Sequence, residues 1–147
     1  MLDIDGKNIM YSMDLLKILF ITFSALISLI DIKRGAIPRL IFIFALPFFI
    51  IIIIMKNELY LFQDSIIGFL AGLIIFILAY LFSKKKLGLA DVWFSALIGL
   101  VLGFRHWYAA MGIACIIGII FMLISKKCKI PFIPFMAIGS ILILMIF

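Results

Sequence analysis

The chain has 147 residues and a formal net charge of +6, and 68% of its residues are hydrophobic. Soluble domains contain roughly 45–50% apolar residues, and the apolar runs here approach the length that crosses a bilayer, which excludes a soluble globular protein. The basic residues lie beside these runs rather than on a polar face, so they indicate membrane orientation and not nucleic-acid binding. We therefore predict one membrane-embedded domain over residues 1–147.

Charged gaps divide the chain into hydrophobic segments at 14–30, 39–55, 64–82, 92–104, 107–124 and 133–147. In lipid, helices satisfy their own backbone hydrogen bonds, so we predict an all-α bundle of six transmembrane helices. In the stretch 92–125, the only basic or acidic residues are Arg105 and His106. A single helix there would run to roughly 50 Å, against a hydrocarbon core of about 30 Å, which predicts two short helices that turn near Gly103.

The basic residues predict how the bundle is oriented. They follow the first, third and fifth predicted helices, as Lys33, Arg34 and Arg39, then Lys84, Lys85 and Lys86, then Lys126, Lys127 and Lys129. By the positive-inside rule these three loops are cytoplasmic, and both termini are outside.

Two further patterns have a structural interpretation. Gly68 with Gly72, and Gly99 with Gly103, have the spacing of small residues that lets helices approach closely in lipid. Aromatic residues near the span ends, including Trp107, are interpreted as an aromatic belt at the membrane interface.

Two aspartates, Asp31 and Asp91, are the only acidic residues at the predicted cytoplasmic ends of the helices. A carboxylate at the edge of hydrocarbon costs free energy, which makes each one a candidate functional residue. Asp31 lies at a helix C-terminus, where the helix dipole disfavours a negative charge, so pairing with Lys33 and Arg34 is its structural alternative. Asp91 lies at a helix start, where an aspartate is often an N-cap.

The two aspartates together predict a specific chemistry. Two carboxylates held close cannot both ionise easily, so the pair shares one proton. One carboxylate can then act as a general base on water while the other donates a proton to a carbonyl oxygen, which hydrolyses a peptide bond. Which aspartate takes which role stays open. With one histidine and no CxxC motif, we expect no metal site and no cofactor.

Three segments resemble a known family. An aspartate is followed by Ile-Pro, Gly-Leu-Ala-Asp is similar to a GxGD motif, and Pro-Phe-Ile-Pro-Phe opens the last predicted helix. In this order they resemble the type IV prepilin peptidases, GxGD-type intramembrane aspartyl proteases. The residues that carry the resemblance are Asp31, Pro38, Gly88, Ala90, Asp91, Pro131 and Pro134. Nothing corresponds to the cytoplasmic CxxC domain of the larger members, so the resemblance is to the peptidase-only form, without methyltransferase activity.

The resemblance implies that Asp31 and Asp91 are catalytic. It implies an endopeptidase in the cytoplasmic membrane that removes short basic leaders from type IV pilin-like precursors at the cytoplasmic face. The expected partners are these precursors and the lipid bilayer, with no nucleic acid. The chain departs from the family pattern at Ala90, which replaces a glycine, and at Trp93, where many members have lysine. These departures favour the alternative of an inactive relative acting as an assembly factor, or a small cation- or proton-coupled transporter.

Overall fold

The computed structural model describes residues 4–35, 37–55, 59–83, 87–125 and 131–146. These residues form five α-helices and no strand: α1 (Ile4–Arg34), α2 (Arg39–Met55), α3 (Leu59–Phe82), α4 (Leu89–Ser125) and α5 (Ile133–Ile146). By length and composition, α1, α3 and α4 contain segments that could cross a membrane, at Leu15–Arg34, Phe62–Phe82 and Leu89–Ser125. Helices α2 and α5 are apolar but shorter. The predicted helical membrane protein is therefore confirmed.

The outer surface of the bundle is apolar. Large hydrophobic side chains such as Phe44, Phe82 and Leu123 are at least 72% exposed. In water such a surface would drive association, whereas a bilayer solvates it without cost. Since the exterior and the core are both apolar, the fit between helix surfaces determines which helices pack together. Small residues and aromatic rings lie at these contacts.

The described residues form five helical elements where six helices were predicted, because the segments 92–104 and 107–124 are joined across a kink in α4. Within α4 only Gly103 leaves the helical conformation, with φ 75° and ψ 170°. Glycine reaches positive φ at little steric cost because it has no Cβ, so one residue is enough to break the helix. The predicted turn near Gly103 is confirmed, and it divides α4 into a first arm (89–102) and a second arm (104–125).

The two arms of α4 fold back towards each other. The indole Nε1–H of Trp107 donates a hydrogen bond to Ser95 Oγ at 3.1 Å, although the two residues are 12 positions apart. In a straight helix that separation would place them roughly 18 Å apart along the axis, beyond the reach of their side chains. The bend at Gly103 therefore turns the second arm back past the first.

Each arm packs against a different helix through glycine. A Cβ on Gly72 of α3 would lie 2.7 Å from the carbonyl oxygen of Ser95, and a Cβ on Gly68 would collide with the carbonyl oxygen of Gly99. In α5, a Cβ on Gly139 would collide with the carbonyl oxygen of Ala110 in the second arm. The predicted helix-packing role of the α3 and α4 glycines is confirmed.

The helix ends that flank the second and third basic loops lie at one end of the bundle. Phe132, just before α5, has its ring 6.4 Å from that of Phe76 in the last part of α3. Phe132 also lies beside Gly118 in the second arm, where an added Cβ would be 3.4 Å from its ring. The lysines at 84–86, 126, 127 and 129 lie outside the described residues. The side of the membrane that this end faces therefore stays a prediction.

Candidate active site

Asp31 lies in the last turn of α1. The helix ends at Arg34, and the next residue, Gly35, has φ 62° and donates its N–H to the Asp31 carbonyl oxygen at 2.8 Å. A glycine with positive φ that returns its N–H to the last turn is a common C-terminal cap. Ser24 and Ile27 share a helix face with Asp31 and are buried with it. The cap thus ends α1 with the Asp31 carboxylate turned into the bundle, where the residue is only 9% exposed.

The structural alternative for Asp31 is not observed. Lys33 and Arg34 are exposed on the outside of the last turn. Among the described residues, no hydrogen bond or ion pair reaches the Asp31 carboxylate. Pairing with the two adjacent cations therefore does not explain why this carboxylate is buried.

Asp91 is the third residue of α4 and is 8% exposed. Its Oδ2 accepts a hydrogen bond from the Gly88 N–H at 3.1 Å, and its own N–H donates to the Gly88 carbonyl oxygen at 3.1 Å. Asp91 is therefore not the N-cap considered from the sequence. It reaches back from the third helical position, as the acidic residue of a capping box does. This contact fixes the side chain and uses only one of its two carboxylate oxygens.

The structure places the two aspartates within electrostatic range of each other. The charge of Asp31 acts on the Asp91 carboxylate, and no cation of the described residues acts on either one. Both side chains are buried, so the interaction takes place in a medium of lower dielectric than water. Such a pair is disfavoured with two negative charges and is stabilised by one shared proton. The arrangement can therefore provide one acid and one base side by side.

The other residues that carry the resemblance lie at or beside the starts of α2, α4 and α5. Gly88 is exposed and Ala90 is half-buried, on either side of the first residue of α4. Pro38 is exposed before α2, where its carbonyl oxygen accepts the Ile41 N–H at 3.1 Å. These residues shape helix starts. Pro131 is exposed just before α5 and Pro134 is buried in its first turn, where a proline fits because those N–H groups have no partner within the helix.

One contact near the site was missed from the sequence. The interpretation of Trp107 as a belt residue is wrong, because it is only 4% exposed and bonds to Ser95. Ser95 lies one helical turn after Asp91, so the contact ties the second arm to the arm that carries the carboxylate. The available signal was the Gly103 break itself, since a turn there brings residues before and after it together.

The described residues contain no group of three or more His, Cys, Asp or Glu side chains close enough to hold a metal ion. In the described part of the site, the charged groups available for chemistry are the two aspartate carboxylates.

The helices and the paired carboxylates define an α-helical membrane protein with a two-aspartate site. Residues 18–123 match the sequence profile of the type IV leader peptidase family. This match covers most of the chain, including Asp31 and Asp91, and ends before α5. The protein therefore belongs to the type IV leader peptidase family, as the sequence motifs predicted. No curated protein and no solved structure matches the chain.

Proposed function

We propose that the protein is an intramembrane aspartyl endopeptidase that removes short basic leaders from type IV pilin-like precursors. Family membership supports a peptidase acting on a protein substrate. The proximity of Asp31 and Asp91 carries the proposal of aspartyl chemistry, since two buried carboxylates interact with each other and with no described cation. A purely structural carboxylate in lipid would be expected to have a cationic partner.

In the proposed mechanism, a water molecule lies between the two carboxylates. The ionised aspartate takes a proton from this water as the water oxygen attacks the carbonyl carbon of the scissile peptide, and the protonated aspartate donates its proton to the carbonyl oxygen. The tetrahedral intermediate then collapses and the carbon–nitrogen bond breaks. The leaving nitrogen takes the proton held by the pair, and a hydroxyl of the intermediate returns a proton to the pair as the carboxyl product forms. The hydrogen bond from Gly88 orients Asp91 so that its second oxygen is available to the water.

We also propose that both arms of α4 cross the membrane, which gives six spans with both termini outside. The first arm is roughly 20 Å long and the second roughly 33 Å. The first arm is shorter than a hydrocarbon core of about 30 Å, so its first turn, with Asp91, lies beneath the membrane surface. With the positive-inside orientation, the dyad faces the cytoplasm in the cytoplasmic membrane. A precursor whose hydrophobic helix lies in the bilayer would then present its leader at the dyad.

Replacing each aspartate with asparagine tests the chemistry. We predict that Asp31→Asn and Asp91→Asn each abolish leader removal when the protein is co-expressed with pilin-like precursors from its own genome. Asparagine keeps the shape, and its side-chain oxygen can still accept the Gly88 N–H, but it cannot exchange the proton. Removing general acid or base catalysis lowers the rate by about 10²–10⁴-fold.

Two controls accompany this test. Membrane abundance of both variants should match that of the unaltered protein, and Asp64→Asn, at the other end of α3, should still cleave. If the Asp91 side chain only holds the start of α4, Asp91→Asn should be silent, since the asparagine oxygen can still accept the Gly88 N–H. Full cleavage by either dyad variant would remove the enzyme proposal and return the protein to the assembly-factor or transporter alternatives.

The orientation is tested separately by single-cysteine labelling. In a background that lacks Cys115 and Cys128, we expect Lys85→Cys to be labelled from the cytoplasmic side only. Labelling from outside would contradict the cytoplasmic placement of the dyad, whatever the outcome of the cleavage test.

A further inference from the structure

A groove opens on the outside of the bundle where α1 ends and α2 begins. Its volume is about 330 Å³. Its walls include Leu29, Ile30, Lys33, Arg34, Pro38 and Ile41. Asp31 does not line it, because its side chain points into the bundle. The groove is therefore separate from the dyad, although both use the last turn of α1.

The groove exists because α1 and α2 meet through bulky rings. Phe20 and Phe23 of α1 both contact Phe49 of α2 edge to face, with ring centroids 6.0 and 5.8 Å apart. These rings keep the two helix backbones apart deeper in the bundle. Near the capped end of α1, the space between the helices is left open.

The groove has an apolar floor, which includes Leu29 and Ile30. Two cations, Lys33 and Arg34, lie at the end of the groove where α1 terminates. Leu29 and Ile30 precede Lys33 and Arg34 by three to four residues, so these side chains follow one face of α1. Both cations are exposed, and neither forms an ion pair with a described residue. Because α1 reaches the end of its apolar span here, the two charges lie at the level where the hydrocarbon meets the lipid headgroups.

We propose that this groove binds an anionic phospholipid, with the phosphate at Lys33 and Arg34 and an acyl chain along the apolar floor. Charge complementarity selects the lipid, since the two cations have no partner among the described residues and basic pockets beside transmembrane helices attract anionic headgroups. The leader of the proposed substrate is basic, so these cations would repel it from the groove. The lipid site does not depend on the proposed peptidase activity.

The test measures lipid binding to the full chain purified in detergent. Native mass spectrometry, with phosphatidylglycerol or phosphatidylcholine added in steps, gives the affinity for each lipid. We expect a clear preference for phosphatidylglycerol. Each basic residue near an anionic lipid contributes about fivefold in affinity, so the double variant Lys33→Gln/Arg34→Gln should lower phosphatidylglycerol binding by about thirtyfold.

The matched control is Lys17→Gln/Arg105→Gln, which removes two positive charges away from the groove. It should keep the preference for phosphatidylglycerol, and an equal loss in this control would overturn the site in favour of net charge. A floor variant, Leu29→Ala, should weaken binding of phosphatidylglycerol without changing the charge. Displacement of the lipid by soluble glycerol phosphate, or equal binding of both lipids, would also overturn the proposal.

Discussion

The contact between α3 and the first arm of α4 is made by backbone atoms, which makes its glycines sensitive to a single methyl group. In Gly99→Ala, the new Cβ would collide with the carbonyl oxygen of Gly68 and would lie 3.0 Å from the backbone nitrogen of Phe69. No side chain can rotate away to relieve this collision. Since non-bonded heavy atoms prefer about 3.5–4.0 Å, the two helices must separate by roughly 1 Å.

The expected loss of stability follows from two opposing terms. Forcing an extra methyl group into a packed contact destabilises by about 1–3 kcal/mol. Alanine is favoured over glycine within a helix by about 0.5–1 kcal/mol, which offsets part of this loss. We therefore expect Gly99→Ala to lower the free energy of unfolding by up to about 2.5 kcal/mol. Gly112→Ala is the matched control, because an added Cβ there has no neighbour within 4 Å.

The measurement is thermal unfolding of the purified full chain in detergent, followed by circular dichroism. Gly112→Ala retains only the favourable helix term, so its melting temperature should be equal to or above that of the unaltered protein, while that of Gly99→Ala falls. Equal stability of the two variants would refute the backbone contact. If the proposed dyad is correct, Gly99→Ala should also lower cleavage at temperatures where it is folded, because displacing a catalytic group by 1 Å can cost about 10²-fold.

Two further predictions concern the bend in α4. Ser95→Ala leaves the buried Nε1–H of Trp107 without a partner and should destabilise the protein by about 1–3 kcal/mol. In a double-mutant cycle with Trp107→Phe, the two changes should show a coupling energy of about 1 kcal/mol. Strictly additive losses of stability would contradict the hydrogen bond. Gly103→Ala should destabilise by about 1–3 kcal/mol, because a side chain is strained at this φ and the methyl group would collide with the Asp64 carboxylate. In its control, Gly118→Ala in the same helix, the new methyl group meets only the rings of Phe132 and Phe135, at 3.4 Å and 3.8 Å, so this variant should remain close to the unaltered protein.

The sequence predicted the helices best where charges mark both ends of an apolar run. The prediction for α2, residues 39–55, agrees with the observed Arg39–Met55. The prediction for α1 began at residue 14, whereas the helix begins at Ile4. Hydropathy identifies the part of a helix that suits lipid, and it carries no information about polar turns that extend the same helix beyond it.

The predicted meeting of Asp31 and Asp91 followed from placing both at one end of the bundle. The structure places them within electrostatic range of each other, and their role as a catalytic pair stays a prediction. The Gly88 contact was missed because it depends on which residue is the first of α4, and helix boundaries vary by one or two residues. The contact between Trp107 and Ser95 was missed for a different reason. It joins two arms whose relative direction depends on the backbone angles of Gly103, and a hydrophobic pattern does not specify those angles.

The position of Asp91 along the bundle is determined by contacts at the other end of the first arm of α4. The contact of Gly68 with Gly99 fixes the first arm against α3, and the Gly103 bend limits how far that arm extends. Asp31 is placed differently, by the cap at Gly35 that ends α1. Two helices of unequal length thus bring their carboxylates to the same end of the bundle, the first arm through its glycine contact with α3 and α1 through its Gly35 cap.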